Sequence, residues 1–296
     1  MLYLSHFGLR EPPFWITPDT SFFYACASSQ EALNTLIVAV ANGEGFIKIT
    51  GEVGTGKTLL CRKFLATLDD GWASAYVPNP NLEPRTLLLA LAEELGVVLD
   101  GGLDQHHLLK ALNLALLDFA RRKKRVVVCL DEAQAMPLDS LETLRLLTNL
   151  ETEKRKLAQV ILFGQPELDE RLAHESVRQL RQRITFQHHL GSLTREETDH
   201  YLAHRLAVAG YSGDRVFAPA AIGTISRTSR GVPRLVNILA NKALMLAYGE
   251  GSRKVSARHA RAAAADTPAS FALSRAWLWL ALGCIAFSSI GWLILR

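Results

Sequence analysis

Residues 51–58, Gly51, Glu52, Val53, Gly54, Thr55, Gly56, Lys57 and Thr58, fit the spacing G-x-x-x-x-G-K-[ST] between a β-rich run and an apolar-periodic stretch. Glycines at these points let the main chain curl so that its N–H groups and a helix N-terminus face an anion. The anion this pattern cradles is a nucleotide polyphosphate. Lys57 would add a point charge at the β and γ groups, the loop through Leu59 would wrap the phosphates, and the Thr58 hydroxyl would ligate Mg²⁺. A second cluster follows the apolar run 126–130, which delivers Asp131 and Glu132 to the C-terminal end of a strand. Asp131 is the expected partner of the Mg²⁺ shell, and Glu132 the residue that orients and polarises an attacking water.

Five further residues, at three places in the chain, could touch the phosphates. Gln165, just beyond a strand, is a candidate sensor of the γ-phosphate; a polar residue opening a Gly-Gln-Pro turn is the alternative. Arg178, Arg181 and Arg183 crowd a helix end, from which an arginine could reach a neighbouring subunit's phosphate, Arg183 first and Arg181 second. Solvated arginines at a helix C-terminus are the competing account. Arg234, behind Gly231, Val232 and Pro233, opens a helix whose first turn could place it on the nucleotide as a second sensor.

These groups need a scaffold, and five short runs supply it: 46–50, 73–77, 126–130, 159–163 and 184–190. Helix-length segments separate them, so the expectation is an α/β fold, a parallel five-stranded sheet between helices. Leu108, Leu109, Leu112, Leu116 and Leu117 keep helical spacing, as do Leu138, Leu141, Leu144 and Leu147 after Pro137. One whole strand, 73–77, fits between Lys57 and Asp131, which suits P-loop NTPases of the AAA+ type better than simple nucleotide kinases. The expected division is an entry segment, 1–45, packing on the core, a nucleotide-binding α/β domain, 46–190, and a helical lid, 191–265. Thr194 and Glu197 form a capping box at the start of that lid.

Residues 266–274 read as a linker to a membrane-spanning helix, 275–296. Its stretch 276–295 is uncharged, and at about 1.5 Å per residue it is long enough for a hydrocarbon core of about 30 Å. Trp277, Trp279 and Trp292 sit near its ends. Arg253, Lys254, Arg258, Arg261 and Arg275 precede it while only Arg296 follows, so the larger part is expected in the cytoplasm with a single-pass C-terminal anchor in a bacterial inner membrane.

Composition excludes some classes. With 49% hydrophobic and 21% charged residues the chain is folded rather than disordered, and its net charge of +4 selects no partner. The four cysteines make no C-x-x-C pair, which argues for reduced thiols over zinc or a disulfide framework. The start of the chain shows no secretory signal. The basic run 121–125 joins a helix end to a strand and reads as solvated, and the adjacent histidine pairs 106–107 and 188–189 point apart. Nucleic acid is therefore not an expected partner.

Longer stretches carry a resemblance. HFGL, PPFWITPDTSFFY, GEGFIKITGEVGTGKTLLCRKFL, LDEAQAMPLDSLETLRLLTNLETEKRKLAQVILFGQPELDERL, RQLRQRITF and GVPRLVNILANKAL cover nearly all of residues 1–267. In them the sequence resembles the bacterial ExeA/GspA-type general secretion AAA ATPases, especially the shorter members that serve an MSHA-type pilus. The resemblance implies an inner-membrane-associated, oligomeric ATPase using ATP and Mg²⁺, with type IV pilus or type II secretion proteins as partners. ExeA-type relatives continue into a peptidoglycan-binding domain; here wall binding is expected to be absent or supplied by a partner. The alternative function is a DNA-associated AAA+ regulator similar to transposition helper ATPases, which share the DEAQ-like segment and the G-x-P-R lid.

Overall fold

The computed structural model describes residues 2–98, 102–148, 151–152 and 155–267, which form two compact units. One holds residues 17–192. The other joins residues 2–16 to 193–267, so that α1 (Leu2–Phe7) belongs with helices that lie late in the chain.

In the first unit, α2 (Ala27–Ala41) leads to β1 (Phe46–Gly51), α3 (Lys57–Leu65), β2 (Trp72–Val77), α4 (Pro84–Glu94), α5 (Gln105–Arg121) and β3 (Arg125–Leu130). Then come α6 (Leu138–Leu147), the two-residue strands β4 (Glu151–Thr152) and β5 (Arg155–Lys156), β6 (Ala158–Gly164), α7 (Glu167–Leu172), α8 (Arg178–Gln182) and β7 (Ile184–Leu190). β4 and β5 pair antiparallel as a small hairpin. The main sheet is parallel and five-stranded, in the order β2-β3-β6-β1-β7. All five expected strands are present, each within a residue of its expected ends.

Alternation along the strands builds a core on each face. Val126, Val128 and Leu130 pack in one cluster with Leu87 and Leu91 of α4, Leu108, Leu112 and Leu116 of α5, and Leu141 and Leu144 of α6. Val127 and Cys129 enter the other with Ala32 and Leu36 of α2 and Leu60 and Phe64 of α3. The helices start where local chemistry favours it: Pro84 occupies the first turn of α4, and the Asp104 carboxylate accepts from His107 N at the head of α5.

The second unit contains α9 (Arg195–Val208), α10 (Pro219–Ser229), α11 (Pro233–Gly249) and α12 (Ala257–Ala265). The capping box opens α9: Glu197 N donates to Thr194 Oγ1 at 3.1 Å and Thr194 N to Glu197 Oε2 at 2.9 Å. Gly231 has φ +71, and a Cβ there would stand 1.9 Å from Leu193 O, so only glycine lets the α10–α11 turn close on the chain leading into α9.

Residues 2–16 depart from the expectation that all of 1–45 packs on the nucleotide-binding core. The cause is a buried guanidinium. Arg205 of α9 donates through Nε to Pro13 O at 2.6 Å and through Nη2 to Trp15 O at 3.0 Å. Asn237 of α11 donates to the same Trp15 carbonyl at 3.3 Å and accepts from Tyr201 Oη at 3.0 Å. Carbonyls in an apolar setting must find donors, and these come from the helical unit.

The membrane anchor requires correction. Its expected segment, 275–296, and most of the linker lie outside the described residues. Among the described residues no helix is long and apolar enough to cross a membrane. The longest, α5 and α11, have 17 residues each, short of the roughly 20 that a bilayer core requires, and both carry charged side chains. The single-pass inner-membrane assignment, with the ATPase domain on its cytoplasmic side, is accordingly withdrawn.

Arg205→Leu is expected to destabilise the helical unit by about 3 kcal/mol, because it strands buried carbonyls as well as removing charged hydrogen bonds. Chemical denaturation reads this directly; an unchanged midpoint would show that the guanidinium does not hold residues 13–15.

Candidate nucleotide site

Sheet order decides which side chains meet. β6 lies between β1 and β3, so the C-terminal ends of three neighbouring strands, each about 4.8 Å from the next, carry Lys57, Gln165 and the Asp131–Glu132 pair to one edge.

The loop after β1 is shaped by Gly54 and Gly56, whose φ values of 86° and 101° are those L side chains avoid. Gly56 leads straight into α3, turning that helix's free N–H groups toward the loop's hollow. Lys57 is buried, and its ammonium donates to Gly51 O at 2.7 Å and Glu52 O at 3.0 Å. Burial lowers its pKa, while Glu132, Asp131, Glu52 and Glu167 act in the opposite direction. Val53 is exposed at the loop's tip, and Thr55 Oγ1 donates to Glu52 O at 2.9 Å.

Asp131 is buried and accepts from Thr58 Oγ1 at 2.5 Å and from Glu132 N at 3.0 Å. Burial raises its pKa; the bonds from Thr58 and Glu132 N pull the other way. A buried carboxylate beside a hydroxyl is a donor pair suited to a hard divalent cation that completes its shell with phosphate oxygens and water. Asp131 and Thr58 supply two such donors; among the described residues no group of three or more His, Cys, Asp or Glu gathers as an all-protein metal cage.

Glu132 has φ 55 and ψ 37, a left-handed conformation that costs a non-glycine residue about 1–2 kcal/mol. Its Oε2 accepts from Gln134 Nε2 at 2.6 Å and Gln165 Nε2 at 3.0 Å. Burial pushes the carboxyl up, but these amides and Lys57 outweigh it, leaving the pKa below the ordinary glutamate value. Glu132 is thus a held, ionised carboxylate at neutral pH.

The structure therefore brings together Lys57, Thr58, Asp131, Glu132 and Gln165. Arg183 stands elsewhere. It precedes Ile184, which pairs with Phe46 at the start of β1, so it lies at the opposite end of the sheet, roughly 16 Å of strand from Gly51. Arg181, two residues back, lies in the last turn of α8. Among the described residues neither is in an ion pair. Arg234 is exposed in the first turn of α11, in the helical unit.

Two contributors escape motif reading. Tyr76 of β2 pairs in register with Cys129, and its hydroxyl reaches Asp131 Oδ2 at 3.5 Å; burial, then Asp131, push its pKa up to about 12. The two-residue period that puts Cys129 and Asp131 on one face could have found it. Gln134 is the other; it closes the DEAQ-like segment 131–134, but nothing in that segment alone says what its amide touches.

A P-loop AAA-type nucleotide-binding fold is what this topology and edge define, and comparison agrees: a family model described as an AAA domain matches residues 40–172. The chain belongs to the ExeA/GspA-type general secretion AAA ATPase family. It is 42% identical to general secretion pathway protein A of Aeromonas hydrophila over 254 residues, 86% of this chain and 46% of that protein, so it spans about half the length of this relative. Among solved structures, the Aeropyrum pernix ORC2 protein in ADPNP–ADP complexes matches at TM-score 0.61 and 19% identity, covering 84% of this chain and 72% of that one. The Thermotoga maritima RuvB branch-migration motor matches at TM-score 0.54 and 16% identity, covering 84% and 72%. At these identities the likeness shows the fold.

Lys57→Ala removes the ammonium that the loop would offer to a phosphate and is expected to weaken nucleotide binding about 10- to 100-fold. Anisotropy of a fluorescent nucleotide tests this, and an unaltered affinity would take Lys57 out of the site.

Proposed function

We propose that the chain is a Mg²⁺-dependent ATPase, working as a homo-oligomer, that couples ATP binding and hydrolysis to the assembly or positioning of a type II secretion apparatus or an MSHA-like type IV pilus. One observation carries the enzymatic part: a buried lysine, a hydroxyl–carboxylate pair and an amide-held glutamate converge where a P-loop presents its N–H groups.

Residues 51–59 wrap the triphosphate, with Lys57 at its β and γ oxygens. Thr58 and Asp131 would hold Mg²⁺, which supplies positive charge to the phosphate oxygens when bound. Glu132 orients the attacking water and draws on its proton, while Gln165 addresses the γ-phosphate. Arg183, or Arg181, cannot serve the chain's own site from the far end of the sheet, so the proposed finger acts on a neighbouring copy. Arg234 is proposed as the second sensor, as its place in the first turn of α11 behind Gly231 and Pro233 suggests. Partnership with secretion or pilus proteins, or with a peptidoglycan-binding protein, rests on the name of the Aeromonas relative and on the sequence resemblance.

The DNA-associated alternative rests on the DEAQ-like segment and the G-x-P-R lid; the basic run 121–125, which could have added to it, is partly engaged. Arg122 pairs with Asp118, and Arg125 lies over the Trp72 ring at 5.3 Å and donates to Ala41 O at 3.3 Å.

Glu132→Gln is expected to keep nucleotide affinity and to lose turnover by roughly 10²-fold or more; undiminished turnover would remove this residue from the chemistry. ATPase activity per chain is expected to fall on dilution, and Arg183→Ala to lose about 10³-fold. Activity that stays flat with concentration and survives Arg183→Ala would defeat the finger in trans. Crosslinking the Glu132→Gln protein in cells tests the cellular role: secretin or pilus components on the trapped protein support it, and nucleoid proteins alone overturn it.

A further inference from the structure

Gln134 links two candidate catalytic side chains that come from different strands. Its Oε1 accepts from the main-chain N–H of Gln165 at 3.0 Å, and its Nε2 donates to Glu132 Oε2 at 2.6 Å. These partners fix the orientation of the amide without ambiguity. A backbone N–H can only donate, so the oxygen must face Gln165, and the nitrogen is left for the carboxylate. Gln165 closes the circuit by donating its own Nε2 to the same Glu132 oxygen at 3.0 Å.

The surrounding backbone makes room for this amide. Gly164 ends β6, and a Cβ there would meet Leu168 Cδ2 at 2.7 Å and Gln134 Oε1 at 3.3 Å. Gln134 itself sits in the short turn Ala133–Ala135, directly behind the left-handed backbone of Glu132. That conformation turns the carboxylate out of the path of β3, and the neighbouring hydrogen bonds hold it there. Lys48 and Asp169 form an ion pair between β1 and α7, the helix that follows Gln165, which steadies the second half of the clamp.

We propose that Gln134 is a positioning residue for the hydrolytic step: by donating to Glu132 and accepting from Gln165 N it sets the distance and angle between the glutamate that directs water and the amide that addresses the γ-phosphate. The inference rests on the ATPase reading and extends it to the last residue of the DEAQ-like segment, to which that reading gives no role. Gln134 need not touch nucleotide. It acts through two residues whose relative placement decides whether a bound water is aligned for attack, a step sensitive to small misplacements.

Chemistry distinguishes this role from packing. Gln134→Glu preserves length, shape and the acceptor toward Gln165 N but exchanges the donor facing Glu132 for a second acceptor. Gln134→Ala removes both bonds. If the side chain only fills space, the isosteric glutamate rescues; if the N–H donor is what counts, it does not.

The test is steady-state ATP hydrolysis by the full chain, with kcat and KM separated and ADP affinity measured on each variant. Wild type is expected to turn over. Both Gln134→Glu and Gln134→Ala are expected to lose kcat by roughly tenfold or more while ADP affinity stays within about twofold. Gln134→Ala combined with Gln165→Ala is expected to cost less than the product of the single losses, since the two amides hold one carboxylate. A kcat restored by Gln134→Glu, a loss confined to KM, or multiplicative single effects would overturn the inference while leaving an active ATPase. Loss of ADP binding in either variant would also count against it, because positioning water requires none. A folded wild type that binds nucleotide and never hydrolyses it would instead sink the enzymatic reading and this inference with it.

Discussion

A cation and two carboxylates are confined at one edge of a parallel sheet, and the rest of the unit follows from keeping them there. Lys57 and Asp131 are both buried. Alone, each would be driven toward its neutral form, and the directions of their shifts show that pressure: the lysine falls and the aspartate rises. Opposite charge nearby, the bonds that Thr58 and Glu132 N donate to Asp131, and the loop carbonyls that accept from Lys57 offset it. A site that is strained in charge yet held by hydrogen bonds is suited to take a polyanion with its counter-ion.

The strand order makes that confinement possible. Placing β6 between β1 and β3 separates the phosphate loop from the acidic pair by one strand and fills the gap with Gln165. Two leucine-rich cores clamp the sheet between α4, α5 and α6 on one face and α2 and α3 on the other, so the edge is held by rigid elements rather than by loops. The same geometry puts Arg181 and Arg183 at the sheet's opposite end. Under the proposed arrangement, those arginines would serve the site of a neighbouring copy.

Much of this was legible in the residues because it is local. The phosphate loop is a contiguous spacing, Asp131 and Glu132 follow a contiguous apolar run, and Thr194 with Glu197 closes a cap within one turn. What escaped is non-local. Gln134 matters only once β6 is known to lie beside β3, and Tyr76 only once β2 is known to flank it. Arg205 looks like an ordinary helix residue until its carbonyl partners, about 190 positions earlier, are in view. That contact moves residues 2–16 to the helical unit. The apolar C-terminal stretch read as an anchor because hydropathy is also local, but no described helix has the length and apolarity to support that assignment.

In the proposed site, the Lys57 loop and the Thr58–Asp131 pair bind a nucleotide together with its metal. Calorimetric titration of the folded wild-type protein with ATP, with and without Mg²⁺, tests it most directly. Saturable uptake of one nucleotide per chain, tightened by Mg²⁺, is the predicted result, and the absence of any saturable heat in either condition would contradict the account.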